Sequence, residues 1–419
     1  MSNAEADNNS VEYKIPSRTL VVPVLGMTQI FAWGSSYYLM AVVAKPAATE
    51  TGWPFAWVVG GLSLGLLSAG LVSPRVGDSI QQHGGRPVLA ASSILLALGL
   101  IGLSAAPNLP LYLASWLILG LGMGAGLYDA AFATLGRLYS QNARTPIATL
   151  TLFGGLASTI CWPLSAFLIS RFGWRATCLI YAATQLGVAL PLYILALPNE
   201  PKRHLAMSRV DGEMTRQRLK APIPAGSMPL FVLLAIAVTV SAMISTVVSV
   251  HLLTILQLRD IALAAAVALG ALVGPTQVVA RAIEMLISRY HHPLWTMLAA
   301  TLFVAIGVGV LWAGSPIIAA ALIFYGAGIG IESIARATVP LALFGHTRYA
   351  AIMGRIAMPS LIAQAAAPSL GALLMERFGP NATLGVLFAA ALVNVGLVIA
   401  LFRLASRHDA SPSPEAVVP

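Results

Sequence analysis

Gly120-Leu121-Gly122-Met123-Gly124-Ala125-Gly126 and, much later, Gly326-Ala327-Gly328-Ile329-Gly330 each set glycine at every second position inside a long apolar run. On a helix, alternate positions cannot share one face, so such a run thins the helix around much of its circumference. Neighbouring helices can then approach closely, and dispersion replaces the hydrophobic drive that is missing between helices in lipid. The two runs also mark a repeat. Gly122, Gly124 and Gly126 recur as Gly326, Gly328 and Gly330 at an offset of 204, and Pro163 matches Pro368 at 205. Arg171-Phe172-Gly173 with Ala176-Thr177 returns as Arg377-Phe378-Gly379 with Ala382-Thr383 at 206. Landmarks in one order at one slow drift describe two copies of one unit.

Composition fixes the solvent around those copies. Of 419 residues 58% are hydrophobic and 9% charged, and mean hydropathy is +0.83. A water-soluble domain carries about 25% charged residues, so this chain lacks the polar surface that water demands. Each helical span takes about 20 apolar residues. Twelve are expected, at 19–44, 54–75, 87–106, 109–136, 146–170, 174–198, 228–257, 261–288, 293–313, 315–340, 350–374 and 382–404. The fold class is therefore an all-α polytopic membrane protein of two pseudo-symmetric six-helix halves. The expected organisation is a tail over 1–18, a half over 19–198, a linker over 199–227, a half over 228–404 and a tail over 405–419. The linker holds six basic residues and the helix breakers Pro201, Pro222 and Pro224.

The net charge of +9 reports orientation rather than a nucleic-acid partner. With the N-terminus inside, 19 of the 24 basic residues fall in inner segments and five (Lys45, Arg171, Arg175, Arg259 and Arg377) in outer ones. That is the positive-inside pattern, with both termini cytoplasmic and the chain in a plasma or inner membrane. The polar first 18 residues do not read as a cleaved signal, and the apolar run after them is too long for a signal-peptide core. Cys161 and Cys178 both lie in apolar spans and read as packing residues. Gly120, Gly122 and Ala125 fit a loose GxGxxA pattern, but no strand precedes them. No nucleophile–base grouping, metal-ligand spacing or Walker sequence is present, so neither an enzyme nor a cofactor is expected.

Gly77-Asp78-Ser79-Ile80-Gln81-Gln82-His83-Gly84-Gly85-Arg86, between spans two and three, resembles the G-x-x-x-D-R-x-G-R-R signature of the major facilitator superfamily. Gly77, Gly84 and Arg86 fit, while Gln81 and Gln82 stand where the acid and first base belong. Gly173-Trp174-Arg175 after span five also resembles that superfamily. The resemblance covers nearly the whole chain and implies transport of a small-molecule substrate. Ser36-Tyr37-Tyr38, Lys45-Pro46 and Gly52-Trp53 are similar to the monocarboxylate and oxalate–formate branch, as is Gln277-Val278-Val279-Ala280-Arg281 in span eight. In monocarboxylate carriers an acid stands four residues before an arginine that engages the carboxylate; here that place is Gln277. The signatures of drug antiporters are absent: the span-four arginine would fall near Trp116, and the span-five glycine–proline run is Trp162-Pro163-Leu164-Ser165-Ala166.

Ionisable groups at membrane depth face a cavity or a partner. Arg281 reads either as an anion anchor, since guanidinium grips a carboxylate with two parallel hydrogen bonds, or as a structural pair, with Glu284 three residues on or with another helix, that closes the cytoplasmic end. Asp129 and Glu332 follow the two glycine runs near-symmetrically. They read as latches near Arg86, Arg137, Arg336 and Arg355, or as carriers of a coupling proton, with Glu332 the better proton candidate. His251, late in span seven, suits proton-linked gating or a plain hydrogen bond. Gln29, Trp33, Ser36, Tyr37 and Tyr38, with Ser245, Ser249 and Gln364, are expected to complete a substrate cavity. Tyr37 and Tyr38 point to different helix faces, so at most one is expected to line the route. The expectation is a secondary transporter of a small organic anion, functional as a monomer in the bilayer. Export of amphipathic or drug-like compounds, and a transporter-like receptor, are the alternatives.

Overall fold

The computed structural model describes residues 17–199 and 225–409, so most of the expected linker and both extreme tails lie outside the described residues. Every regular element among the described residues is helical. The N-terminal block holds α1 (Arg18–Gly34), α2 (Met40–Thr51), α3 (Phe55–His83), α4 (Gly85–Ala105) and α5 (Leu109–Gly126). It continues with α6 (Tyr128–Tyr139), α7 (Arg144–Thr184) and α8 (Leu190–Ala196). The C-terminal block holds α9 (Met228–Gln257), α10 (Leu263–Gly270), α11 (Val273–Ile287), α12 (Pro293–Trp312), α13 (Ile318–Phe344) and α14 (Tyr349–Asp409). Among the described residues, eight helical stretches are long and apolar enough to cross a membrane. Leu71, Leu98, Leu111, Ile194, Leu253 and Leu286 lie exposed on the outer surface, a rim that lipid stabilises and water does not.

Alternating glycines do what the sequence implies, and they also reset the register of the repeat. A methyl on Gly120 would overlap the Gly65 carbonyl of α3, and one on Gly124 would lie 2.8 Å from the Ala69 carbonyl of the same helix. Gly122 instead abuts Leu96 of α4. In the C-terminal block, methyls on Gly326 and Gly330 would lie 3.0 and 2.7 Å from the Val273 and Gln277 carbonyls of α11, while Gly328 abuts Ala300 of α12. Gly120, Gly122 and Gly124 therefore correspond to Gly326, Gly328 and Gly330, at the offset of 206 that Gly173 and Gly379 also share. By that register Glu332 corresponds to Gly126, so the expected near-symmetry of Asp129 and Glu332 does not hold. Gly173 and Gly379 turn α7 and α14 at φ +80° and +79°, a backbone region that only glycine enters freely.

The equivalent ends are tied by an arginine in both blocks, from different places. Arg175 donates to the Ser104 carbonyl at 2.6 Å, beyond the end of which α4 stops, and pairs with Glu50 at 2.9 Å. Its counterpart in the repeat is Asn381, which accepts at 2.7 Å from Arg259, and Arg259 in turn donates to the Leu311 carbonyl of α12.

Four expected boundaries change. The fourth expected span, 109–136, breaks at Leu127 between α5 and α6. The signature loop between spans two and three is mostly helix, because α3 runs through to His83 before Gly84 turns the chain at φ +85°. The first expected span breaks over Ser35–Leu39. There the Tyr38 N–H donates to the Trp33 carbonyl at 3.0 Å, and the Ser36 hydroxyl takes the Ala32 carbonyl, so side chain and main chain compete. Gln185, in a π-helical turn at Gln185–Ala189, donates to the Ser35 hydroxyl at 2.9 Å and holds the break from the inside. The eighth expected span is interrupted between α10 and α11, just before Pro275, whose ring supplies no N–H to the preceding turn.

Candidate functional site

Arg281 is the centre of the site. It is 6% exposed, and its guanidinium reaches both blocks. Within the C-terminal block its Nε donates to the Gly330 carbonyl at 3.1 Å and the Ser333 hydroxyl at 3.0 Å, and one terminal nitrogen donates to Gln277 Oε1 at 3.2 Å. The other terminal nitrogen donates across to the Thr151 carbonyl of α7 at 3.2 Å. Gly155, one turn further along α7, makes the space: a methyl there would overlap that nitrogen. All four partners are neutral, and no ion pair to Arg281 occurs among the described residues.

The expected structural pair with Glu284 is thereby corrected. Spacing brings residues three apart to neighbouring surfaces, but Glu284 turns away. It accepts from the Thr296 hydroxyl at 2.7 Å and faces His291 at 3.6 Å. Gln277, in the place of the branch's acid, keeps contact with Arg281 but brings no charge. The guanidinium stays an uncompensated cation between the blocks, with two N–H groups beyond those assigned to acceptors.

Aromatic rings adjoin it. Tyr128 begins α6 at the break after Gly126, and its hydroxyl donates at 3.3 Å to the same Thr151 carbonyl that Arg281 uses. A methyl on Gly154 would coincide with that hydroxyl, so Gly154 and Gly155 together seat the tyrosine and the arginine. The Tyr128 ring meets Trp33 at 5.2 Å between centroids, and Trp33 meets Tyr37 at 5.4 Å and Tyr38 at 5.7 Å. The expectation that Tyr37 and Tyr38 diverge assumed a continuous helix. The turn at Ser35–Leu39 sets both rings against Trp33 and 5.5 Å from each other. The Trp33 indole N–H has no acceptor.

A second assembly closes one end of the bundle, the end bearing Arg137, Arg144 and Arg355. Gly77 and Gly354 bring α3 and α14 into backbone contact, 3.1 Å from a methyl on the first to the Cα of the second. Around them Arg355 grips both carboxylate oxygens of Asp78 at 2.8 and 3.1 Å. Arg336 pairs with Asp129 at 2.9 Å, Arg144 donates to the His291 carbonyl at 2.9 Å, and Gln81 to the Thr347 carbonyl at 2.7 Å. Arg137 donates to the Ile80 and Gln81 carbonyls of the N-terminal block. Sequence reasoning missed Asp78: the signature's acid appeared lost at Gln81, yet the chain supplies a carboxylate three residues earlier. Arg86 opens α4 and joins no ion pair among the described residues.

Glu332 stands one turn before Arg336 on α13. Ser241 of α9 accepts from Asn394 at 2.8 Å. Other expected residues lie apart from Arg281. Gln29 is fully buried in the N-terminal block and donates to the Gly126 carbonyl at 2.6 Å. His251 Nε2 stands 2.9 Å from the Pro368 carbonyl and donates to it. Gln364 bonds Ser360 within its own helix. Ser36 is buried in the α1–α2 turn, and Ser245 lends its carbonyl to the Tyr325 hydroxyl at 3.3 Å. Tyr128, Thr151, Ser333 and Asp78 were the residues missed, Asp78 although it lies inside the quoted loop motif.

A helical bundle with apolar outer faces, a cation held between two blocks and a charged closure at one end is the form of a membrane transporter. Residues 24–290 match the Major Facilitator Superfamily, and the chain belongs to that family, whose members are transporters. It is 32% identical to mouse (Mus musculus) monocarboxylate transporter 11 over 160 residues, 37% of this chain and 34% of that protein. To the Homo sapiens protein of the same name it is 29% identical over 165 residues, 38% of this chain and 33% of that protein. The chain thus spans about a third of the length of these relatives. Among solved structures, the human organic anion transporter MFSD10 (TETRAN) superposes with a TM-score of 0.72 at 17% identity, covering 91% of this chain and 100% of that one. The proton:xylose symporter XylE superposes at 0.67 and 13% identity, covering 91% and 95%. At such identities these likenesses show the fold.

Proposed function

We propose that the chain is a secondary transporter of twelve spans in two six-helix halves, carrying a small organic anion, a monocarboxylate in the simplest case, by alternating access. The observation that carries this reading is Arg281: a buried guanidinium between the blocks with only neutral partners. A buried charge without a counter-ion is costly in a membrane, and a substrate carboxylate offsets that cost through a charge-assisted, two-point hydrogen bond. The half-buried rings of Trp33, Tyr37, Tyr38 and Tyr128 flank the bound molecule. MFSD10 is an organic anion transporter, and this name and the partial similarity to monocarboxylate transporter 11 agree with this substrate class.

With both termini cytoplasmic, the end closed by these pairs is the inner gate. Asp78–Arg355 and Asp129–Arg336 latch that gate. Glu332 carries the coupling proton, since it stands one turn before Arg336 on α13 while the Arg336 ion pair is made to Asp129. Export of amphipathic compounds is the second reading. It draws on the aromatic wall and tolerates loss of Arg281.

Flux of radiolabelled pyruvate or benzoate into proteoliposomes tests the proposal. Arg281→Lys keeps the charge but loses the fork, so uptake is expected to fall by about 30-fold or more, the scale of a truncated buried charge pair at 2–5 kcal/mol. Undiminished uptake in that variant removes the anchor.

A further inference from the structure

We infer that the substrate is an aryl carboxylate, a planar aromatic body bearing one carboxylate, rather than a short aliphatic acid. The inference rests on Arg281 being the anion anchor and concerns what lies beside it. Tyr128 Oη and the Arg281 nitrogen lie 3.3 and 3.2 Å from one carbonyl oxygen, that of Thr151, so the phenol and the guanidinium are immediate neighbours. A carboxylate held by Arg281 must therefore project its body along the Tyr128 ring. Beyond Tyr128 the surface is continuous aromatic: Trp33 at 5.2 Å, then Tyr37 and Tyr38 on Trp33.

These rings are only half-buried, unlike Tyr112, Trp116 and Trp174, which are sealed in the core of the same block. Tyr128 and Arg281 share the Thr151 carbonyl across the blocks, and Leu361 and Ala365 of α14 pack against the same core cluster as Trp33 and Tyr37. The wall therefore faces the C-terminal block rather than lipid.

A two- or three-carbon acid would engage the arginine and leave this wall unused. An aromatic ring meets it in the offset or edge-on arrangements that such surfaces favour. The Ser35–Leu39 turn is what assembles the wall, and Gln185 holds that turn from the opposite side.

The test is binding to the purified full-length chain in nanodiscs at fixed ionic strength, using sodium acetate, pyruvate, benzoate and phenylpyruvate, with benzamide as the uncharged control. Benzoate and phenylpyruvate are expected to bind at least about tenfold more tightly than acetate and pyruvate, about 1.4 kcal/mol. Trp33→Leu is expected to bring that preference below about threefold, since each aromatic contact supplies only part of the tenfold. Tyr38→Leu serves the same purpose if the tryptophan variant does not fold. Arg281→Gln is expected to abolish binding of all four acids. If the four acids bind equally and depend on Arg281, the aryl inference fails while the anion reading stands. Aryl binding that ignores Trp33 and Tyr38 overturns it as well. If no acid binds, or benzamide matches benzoate, both fall.

Discussion

Arg336→Gln is expected to release the closed end of the bundle. The Arg336 guanidinium bonds Asp129 Oδ2 at 2.9 Å, and the two side chains are 19% and 17% exposed. The other carboxylate oxygen, Asp129 Oδ1, already has no partner in this closure. Removing one partner of a fully buried pair costs about 3–5 kcal/mol because the remaining charge is left uncompensated. Residual exposure lets water screen part of this, so about 2 kcal/mol is a reasonable scale here. Asp129 and Arg336 belong to different blocks, so that loss falls on the closed state alone. At 1.4 kcal/mol per tenfold, the closed-to-open ratio should drop about 30-fold. The assay is spin-label distance measurement between cysteines introduced at Ser79 and His346, at the closing end of α3 and beyond α13. The variant should show a second, longer population. Asp129→Asn with Arg336→Gln should perturb less than the two single changes together, because neither charge is then stranded. An unchanged distance distribution in Arg336→Gln, with the protein folded, refutes the claim that this pair holds the end closed.

Two further outcomes concern packing. Gly120→Ala forces a methyl into the Gly65 carbonyl of α3 and should destabilise by about 1–3 kcal/mol through overpacking; Gly396→Ala, with nothing within 4 Å of the added carbon, should be neutral or better. Thermal unfolding in detergent separates them. Gln185→Leu deletes the 2.9 Å bond to Ser35 and leaves that buried hydroxyl without its donor. A stability loss of about 1–3 kcal/mol is expected, with weakened benzoate binding as the turn carrying Tyr37 and Tyr38 loosens; unaltered benzoate binding would separate the turn from the site.

Composition, the apolar runs and the paired glycine motifs were enough to read a helical membrane protein with internal duplication, because lipid restricts a spanning chain to structures that satisfy their own backbone. Arg281 was likewise legible as a candidate, since an arginine in an apolar run has few explanations. The register of the duplication was not: glycines at every second position match themselves at more than one offset, and only their contacts with α3, α4, α11 and α12 select 206. Nor were the neighbours of the charges. Arg281 and Glu284 are adjacent by helical spacing, yet one turns toward Thr151 and the other toward Thr296, because space and acceptors come from other helices. Asp78 took the role that Gln81 lacks because α3 continues through the motif. The aromatic wall depends on a five-residue departure from helical geometry at Ser35–Leu39, supported by Gln185 from 150 positions away in sequence. Local chemistry decides which solvent and which element a residue prefers. Which groups meet across helices is decided by packing between segments that the linear order keeps far apart.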